Sequence, residues 1–129
     1  VGQMLAEIAS KEWGLSSYDT NLQRVHLVAH RPGEGGLVVP HKDHDDSHCS
    51  VLWHLSRHPW DNSWGGTTWV GNENISFKPN RIITFPSHID HYGTPPKPHC
   101  PHIRIVLNVV FRVGDVNEWR RISHERQIV

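Results

Sequence analysis

The chain has 129 residues, enough for one domain with a real hydrophobic core, and its 13 Lys and Arg balance its 13 Asp and Glu. That balance speaks against a nucleic-acid or anionic-membrane surface, and no apolar stretch approaches the length of a membrane span. Two cysteines, Cys49 and Cys100, cannot build a disulfide framework and fit no Cys-rich zinc pattern, whereas 12 histidines are a surplus that points to metal binding or proton chemistry.

Residues 4–13, MLAEIASKEW, carry Met4, Leu5, Ile8, Ala9 and Trp13 near helical spacing, and Gly14 ends the run. They predict an amphipathic helix packed on the outside of a core. No basic-then-apolar leader precedes it, and two free thiols suit a reducing compartment, so the expectation is a cytoplasmic chain. The first residue is Val1 rather than Met, so an upstream segment is expected ahead of it.

The alternating stretch 22–31, LQRVHLVAHR, predicts a strand. Pro32 to Gly36 reads as a turn, Leu37 to Val39 as a short strand, and Cys49 to Ser56 as another. Arg57 to Gly66 is a loop, Thr67 to Val70 is extended, Gly71 to Asn74 turns, and Ile75 to Lys78 predicts a short strand. Arg81 to Phe85 is a strand bounded by Pro79-Asn80 and Pro86-Ser87, and a Pro-rich loop runs from Pro95 to Pro101. Ile103 to Val113 is the longest predicted strand. Its alternation puts Ile103, Ile105, Leu107, Val109, Phe111 and Val113 on an apolar face and Arg104, Val106, Asn108, Val110 and Arg112 on the other. A helix is predicted from about Val116 to Arg126. There is no βαβ rhythm, Gly-rich phosphate loop or internal repeat. Short strands separated by turns predict a mainly β, jelly-roll type of double sheet with the N-terminal helix against it, residues 1–129 forming one domain.

The histidines concentrate in 40–55, PHKDHDDSHCSVLWHL. His41 and Asp43 stand two apart in an extended segment, so both side chains can face one ion, and imidazole with carboxylate suits Fe(II), Mn(II) or Zn(II). His44-x-Asp46 has the same spacing and is an alternative register. A third ligand is available downstream in RIITFPSHIDHYGTPP, where His91 opens a new extended segment and His88 lies in a turn and is expected to be exposed. Arg104 lies between isoleucines on the long strand. It is either a cation on a solvated sheet face, or paired with an Asp, or a buried anchor for a carboxylate, since guanidinium offers a fixed fork. Trp53 is expected in the core, Trp60 and Trp64 over an opening or stapling their loop, and Tyr92 near the site.

Taken in order, the Arg31-Pro32-Gly33 turn, His41-x-Asp43, the strand Ser50 to Leu55, Trp64-Gly65-Gly66-Thr67-Thr68, Pro79 to Phe85, His91 and Arg104-Ile105-Val106-Leu107 resemble the Fe(II)/2-oxoglutarate-dependent dioxygenases, prolyl 4-hydroxylase-like subgroup. The resemblance spans about residues 22 to 113 and implies a cupin-like double-stranded β-helix. It implies that His41, Asp43 and His91 are the metal and catalytic residues. Arg104 would pair with the distal carboxylate of 2-oxoglutarate, and His30 stands where a tyrosine touching 2-oxoglutarate is common. The implied cofactors are Fe(II), 2-oxoglutarate as co-substrate, O2 and ascorbate as reductant. The implied reaction is hydroxylation of a C–H bond of a peptide, with prolyl residues the leading class, or of a small molecule, releasing succinate and CO2. The chain departs from the pattern at Thr67, where Glu often follows the Gly-Gly pair, and at Val106, where a small hydroxyl residue is common. The Pro-Gly turn before His41 favours the His41/Asp43 register, which places His44, Asp45 and His48 on a loop at the mouth and leaves His54 facing cavity or solvent. A non-catalytic cupin-like metal- or sugar-binding domain and a zinc hydrolase are the competing readings.

Overall fold

The computed structural model describes residues 1–34 and 39–126 of the chain. Leu37 and Val38 of the predicted short strand, and Gly35 and Gly36 of the predicted turn, lie outside the described residues; Val39 is exposed coil. Among the described residues no helix is long and apolar enough to cross a membrane.

The first helix, α1 (Gly2–Trp13), ends at Gly14, whose φ of 74° closes the last turn through N–H bonds from Gly14 to Lys11 O and from Leu15 to Ser10 O. Its buried stripe is Leu5, Ala6, Ala9 and Trp13, while Met4 and Ile8 are 46% and 40% exposed. The helix is therefore rotated from the face expected from spacing alone. The small Ala6 and Ala9 sit against the sheet, and the larger Met4 and Ile8 flank the contact.

A four-stranded antiparallel sheet runs in the order β1 (Arg24–His30), β7 (Arg104–Arg112), β2 (His48–Leu55), β5 (Ile82–Pro86). A smaller sheet has the order β4 (Glu73–Ile75), β3 (Thr68–Val70), β6 (His91–Gly93). The predicted strand Ile75–Lys78 is displaced: β4 starts at Glu73, because Gly71-Asn72 alone makes the turn that pairs Val70 with Glu73. Phe77 instead inserts into the core. The last helix, α2 (Val116–Glu125), is capped by the Asp115 carboxylate, which accepts from Glu118 N at 3.0 Å.

The two sheets form a double-stranded β-helix, mainly antiparallel, flanked by α1. Two apolar clusters hold it together. Outside the large sheet, Leu5, Ala9 and Trp13 pack on Cys49, Val51, Val109 and Phe111, and Trp119 of α2 meets Trp13 edge-on at 5.0 Å. Between the sheets lie Leu52, Val70, Phe77, Ile83, Phe85 and Val106. Both faces of β7 are covered in part: Val109, Phe111 and Val113 of the apolar face are buried in the outer cluster, and the second cluster sets the other face between the sheets. Ile103 is 48% exposed and Ile105 and Leu107 are half-buried, whereas Arg104, Val106, Asn108 and Val110 are all buried. The face that carries the polar residues is the inter-sheet one, because α1 covers only part of the outer face.

Both cysteines are free and buried. Trp53 is half-buried, with its indole N–H on Asn80 Oδ1 at 2.9 Å. Trp60 and Trp64 staple their loop: they meet edge-on at 5.4 Å, and Trp60 Nε1 donates to Gly65 O at 3.0 Å.

His54 faces neither cavity nor solvent. It is fully buried, stacked on Phe77 with ring centroids 4.6 Å apart, and its Nδ1 accepts from Lys78 N–H at 3.3 Å. Its Nε2 has no partner among the described residues. Burial first, then the charges of Arg104 and Arg81, push its pKa down from 6.5 to about 3. The unfolded chain thus takes up this proton near pH 6.5 and the folded chain only near 3. Stability should fall as pH drops below 6.5, by up to about 1.4 kcal/mol per pH unit from this residue. Urea unfolding at pH 7, 6 and 5 should show a flatter acid limb for His54→Phe than for the parent chain.

Candidate metal and anion site

His41 and His91 are set side by side by main chain. Each N–H bonds the other's C=O at 3.0 Å, an isolated antiparallel bridge that joins the segment after Pro40 to β6. Their rings lie 4.4 Å apart. Each ring turns Nδ1 toward a carbonyl two residues back, His41 to Val39 O at 3.3 Å and His91 to Ile89 O at 3.0 Å. Both Nε2 atoms then face Asp43 Oδ1, at 3.7 Å from His41 and 3.2 Å from His91. Outer carbonyls that fix the tautomer of a metal-binding imidazole have this arrangement.

Asp43 is anchored from behind. Its N–H and that of His44 both donate to Ser87 O, at 3.0 and 3.2 Å. Its Oδ2 accepts from Ser50 Oγ at 2.7 Å and from Asn108 Nδ2 at 3.5 Å, and Ser50 Oγ in turn meets Ser87 Oγ at 2.7 Å. One carboxylate oxygen is thus held by the sheet and the other is presented. Burial alone would raise the Asp43 pKa, but the hydrogen bond and charge of His91, then Ser50 and Arg24, hold it at about 2. The three predicted ligands are brought together, with their donor atoms all within 4.8 Å of one another.

Arg104 lies in the same cavity, of about 370 Å³. Its side chain is 2% exposed, so it is not on a solvated face. Nε donates to Gly66 O at 2.8 Å, Nη2 to Thr68 Oγ1 at 2.6 Å, and Nη1 to His30 Nδ1 at 3.3 Å. Among the described residues no carboxylate pairs with it. Burial lowers its pKa only to about 10, so it remains a cation at neutral pH. His30 is paired with Arg104 across β1 and β7, and burial, then the Arg104 charge, lower its pKa, so a neutral ring accepts from the guanidinium.

The hydroxyl that meets the guanidinium is Thr68's, on the opposite sheet from Val106. Gly66 and Gly93 complete the cradle. A Cβ on Gly93 would stand 3.0 Å from both Nη1 and Nη2, and Gly66 has φ 73° with space limited by Trp60. Nothing in the sequence alone marks Gly66, Thr68 or Gly93 for this role. The same is true of Ser50, Ser87 and Asn108 around Asp43. Only their place on the inward side of the strands marks them, and that side depends on which sheet face is covered.

His44, Asp45 and His48 do not line this cavity. They form a separate knot, with the two rings stacked at 3.5 Å and His48 buried. Asp45 closes a local turn by accepting from Ser47 N, Ser47 Oγ and His48 Nδ1, while His44 Nδ1 accepts from Asp45 N–H. Their donor atoms also lie within 4.8 Å of one another, and His48 Nε2 is buried without a partner among the described residues, but this group stands apart from the cavity that holds Arg104. Asp46 is ion-paired with Arg120 at 2.9 Å and belongs to neither cluster of possible metal donors. His88 is half-buried, not exposed, with Nδ1 enclosed. Tyr92 lines the cavity and stacks on Trp69 at 6.3 Å.

No family model and no curated protein matches the chain. Among solved structures, a Pseudomonas putida prolyl-4-hydroxylase matches with TM-score 0.61 and 18% identity, covering 86% of this chain and 61% of that one. The TT1209 protein from Thermus thermophilus matches with TM-score 0.42 and 20% identity, over 67% of this chain and 69% of that one, too low a similarity to define a fold. The chain thus shares a double-stranded β-helix fold with that prolyl-4-hydroxylase, carries a His-Asp-His cluster that could hold a metal, and spans about three-fifths of that protein's length.

Proposed function

We propose that the chain is an Fe(II)- and 2-oxoglutarate-dependent dioxygenase that hydroxylates a C–H bond. One observation supports this most: a buried guanidinium, without a carboxylate partner among the described residues, faces the same cavity as a two-His, one-carboxylate cluster. Burying a lone cation is costly, and a bound dicarboxylate would offset that cost. The donor set also fits the metal, since two imidazoles and one carboxylate on one face suit Fe(II) and leave other positions free. Bound there, iron would activate O2, which would be the oxidant: one oxygen atom would go into the succinate formed as 2-oxoglutarate loses CO2, and the other into the C–H bond.

The chain's own residues do the positioning. His41 and His91 would hold the ion through Nε2, their Nδ1 atoms kept on Val39 O and Ile89 O. Ser50 and Asn108 keep the Asp43 carboxylate from turning. Arg104 would take the distal carboxylate of 2-oxoglutarate in its fork, with Gly66, Thr68 and His30 fixing its plane. Leu52 and Val106 line the wall between the two ends and keep it apolar.

Mixing Fe(II) and 2-oxoglutarate with the protein without oxygen should give a weak visible charge-transfer band, and no band would count against the proposal. A zinc hydrolase or a sugar-binding domain would show none and would leave Arg104 without a ligand. Prolyl peptides lead the substrate panel, by analogy with the hydroxylase of the same fold; free amino acids and other small molecules complete it, with succinate release as readout. Two free buried thiols suit a reducing compartment such as the cytoplasm. A further expected result concerns Gly93→Ala. Its added methyl would push on a guanidinium already fixed at Gly66 and Thr68. The 2-oxoglutarate requirement should rise about tenfold, as for a displaced charged hydrogen bond, with metal affinity unchanged in a direct titration.

A further inference from the structure

Arg24 opens β1, and the strand's alternation aims it, with His26 and His30, into the cavity. Its Nη1 lies 3.1 Å from Asp43 Oδ1, the same oxygen that both imidazole Nε2 atoms face. The side chain is 41% exposed, against 2% for Asp43, so it reaches in from the mouth and can swing out into water without desolvation cost. Among the described residues it has no other acidic partner.

We infer that Arg24 is a competitor of the metal: guanidinium and divalent ion are alternative partners of Asp43 Oδ1, and Arg24 sets the affinity of the site by having to leave it. This rests on the metal reading above. The physics is Coulombic. An ion bound to Oδ1 would stand within a few ångströms of Nη1, and a double charge beside a single one at that range is repelled strongly even in water. Arg24 thus weakens metal binding while keeping the buried carboxylate paired, a duty that Ser50 and Asn108 share through the other oxygen. A residue serving only to orient Asp43 would have the opposite effect, because its removal would loosen a ligand.

The test is titration with Mn(II), followed by the electron paramagnetic resonance signal of the free ion, in the parent chain, Arg24→Gln and Arg24→Lys. Arg24→Gln should bind Mn(II) about tenfold or more tighter. Arg24→Lys keeps the charge and should stay within about threefold of the parent, a difference too small for a lost charge. Equal or weaker binding by Arg24→Gln would overturn the competition while leaving the metal site in place. No binding by any of the three chains would remove the metal site itself, and this inference with it.

Discussion

Asp43→Ala should abolish iron-dependent turnover and weaken metal binding by more than about a hundredfold, beyond what loss of an outer-shell partner costs. The reason is the asymmetry of its carboxylate. Oδ2 belongs to the scaffold through Ser50, and Oδ1 is the atom on which His41 and His91 converge. Removing it leaves two imidazoles held by main chain and no anion to neutralise the ion. The fold should survive, since Asp43 lies after the His41 bridge and its backbone bond to Ser87 O does not need the side chain. Metal titration with a parallel far-ultraviolet spectrum separates the two effects. Retained 2-oxoglutarate decarboxylation with iron supplied would refute the assignment.

Arg104→Met should raise the 2-oxoglutarate requirement by roughly thirty- to several-thousand-fold, the 2–5 kcal/mol typical of truncating one partner of a buried charged pair. The maximal rate should change less, because this contact is made equally before and during reaction. Stability should move the other way. Among the described residues this buried cation has neutral partners only, so a methionine of similar length should be neutral or stabilising. Steady-state kinetics against 2-oxoglutarate and a urea melt test both halves. An unchanged requirement would remove Arg104 from its role, whatever the melt shows.

Much of the fold was legible because its signals are local. Gly14 stops α1 through a left-handed φ, and Asp115 caps α2, both visible as residue types at the right offset. The same holds for His41, Asp43 and His91, whose spacing and order carried the resemblance. What was not legible depends on which side of a sheet is covered. The alternation in β7 is plain from 103 to 113, but period two does not say which face is inside. The apolar side is buried only at Val109, Phe111 and Val113, under α1, and the inter-sheet packing of Val106 and Phe77 chose the other side as the interior of the double sheet. That choice buried Arg104 and Asn108. Arg24 was invisible for a related reason: its meaning comes from a residue on a distant segment, and nothing near it in the chain marks that partner.

The reciprocal peptide pairing of His41 with His91 has a wider consequence. Because amide groups make it, the spacing of these two positions is indifferent to which side chains they bear. Evolution, or a protein engineer, can exchange the donors at 41 and 91 without rebuilding the frame that displays them. In this region of the molecule shape and reactivity are inherited separately.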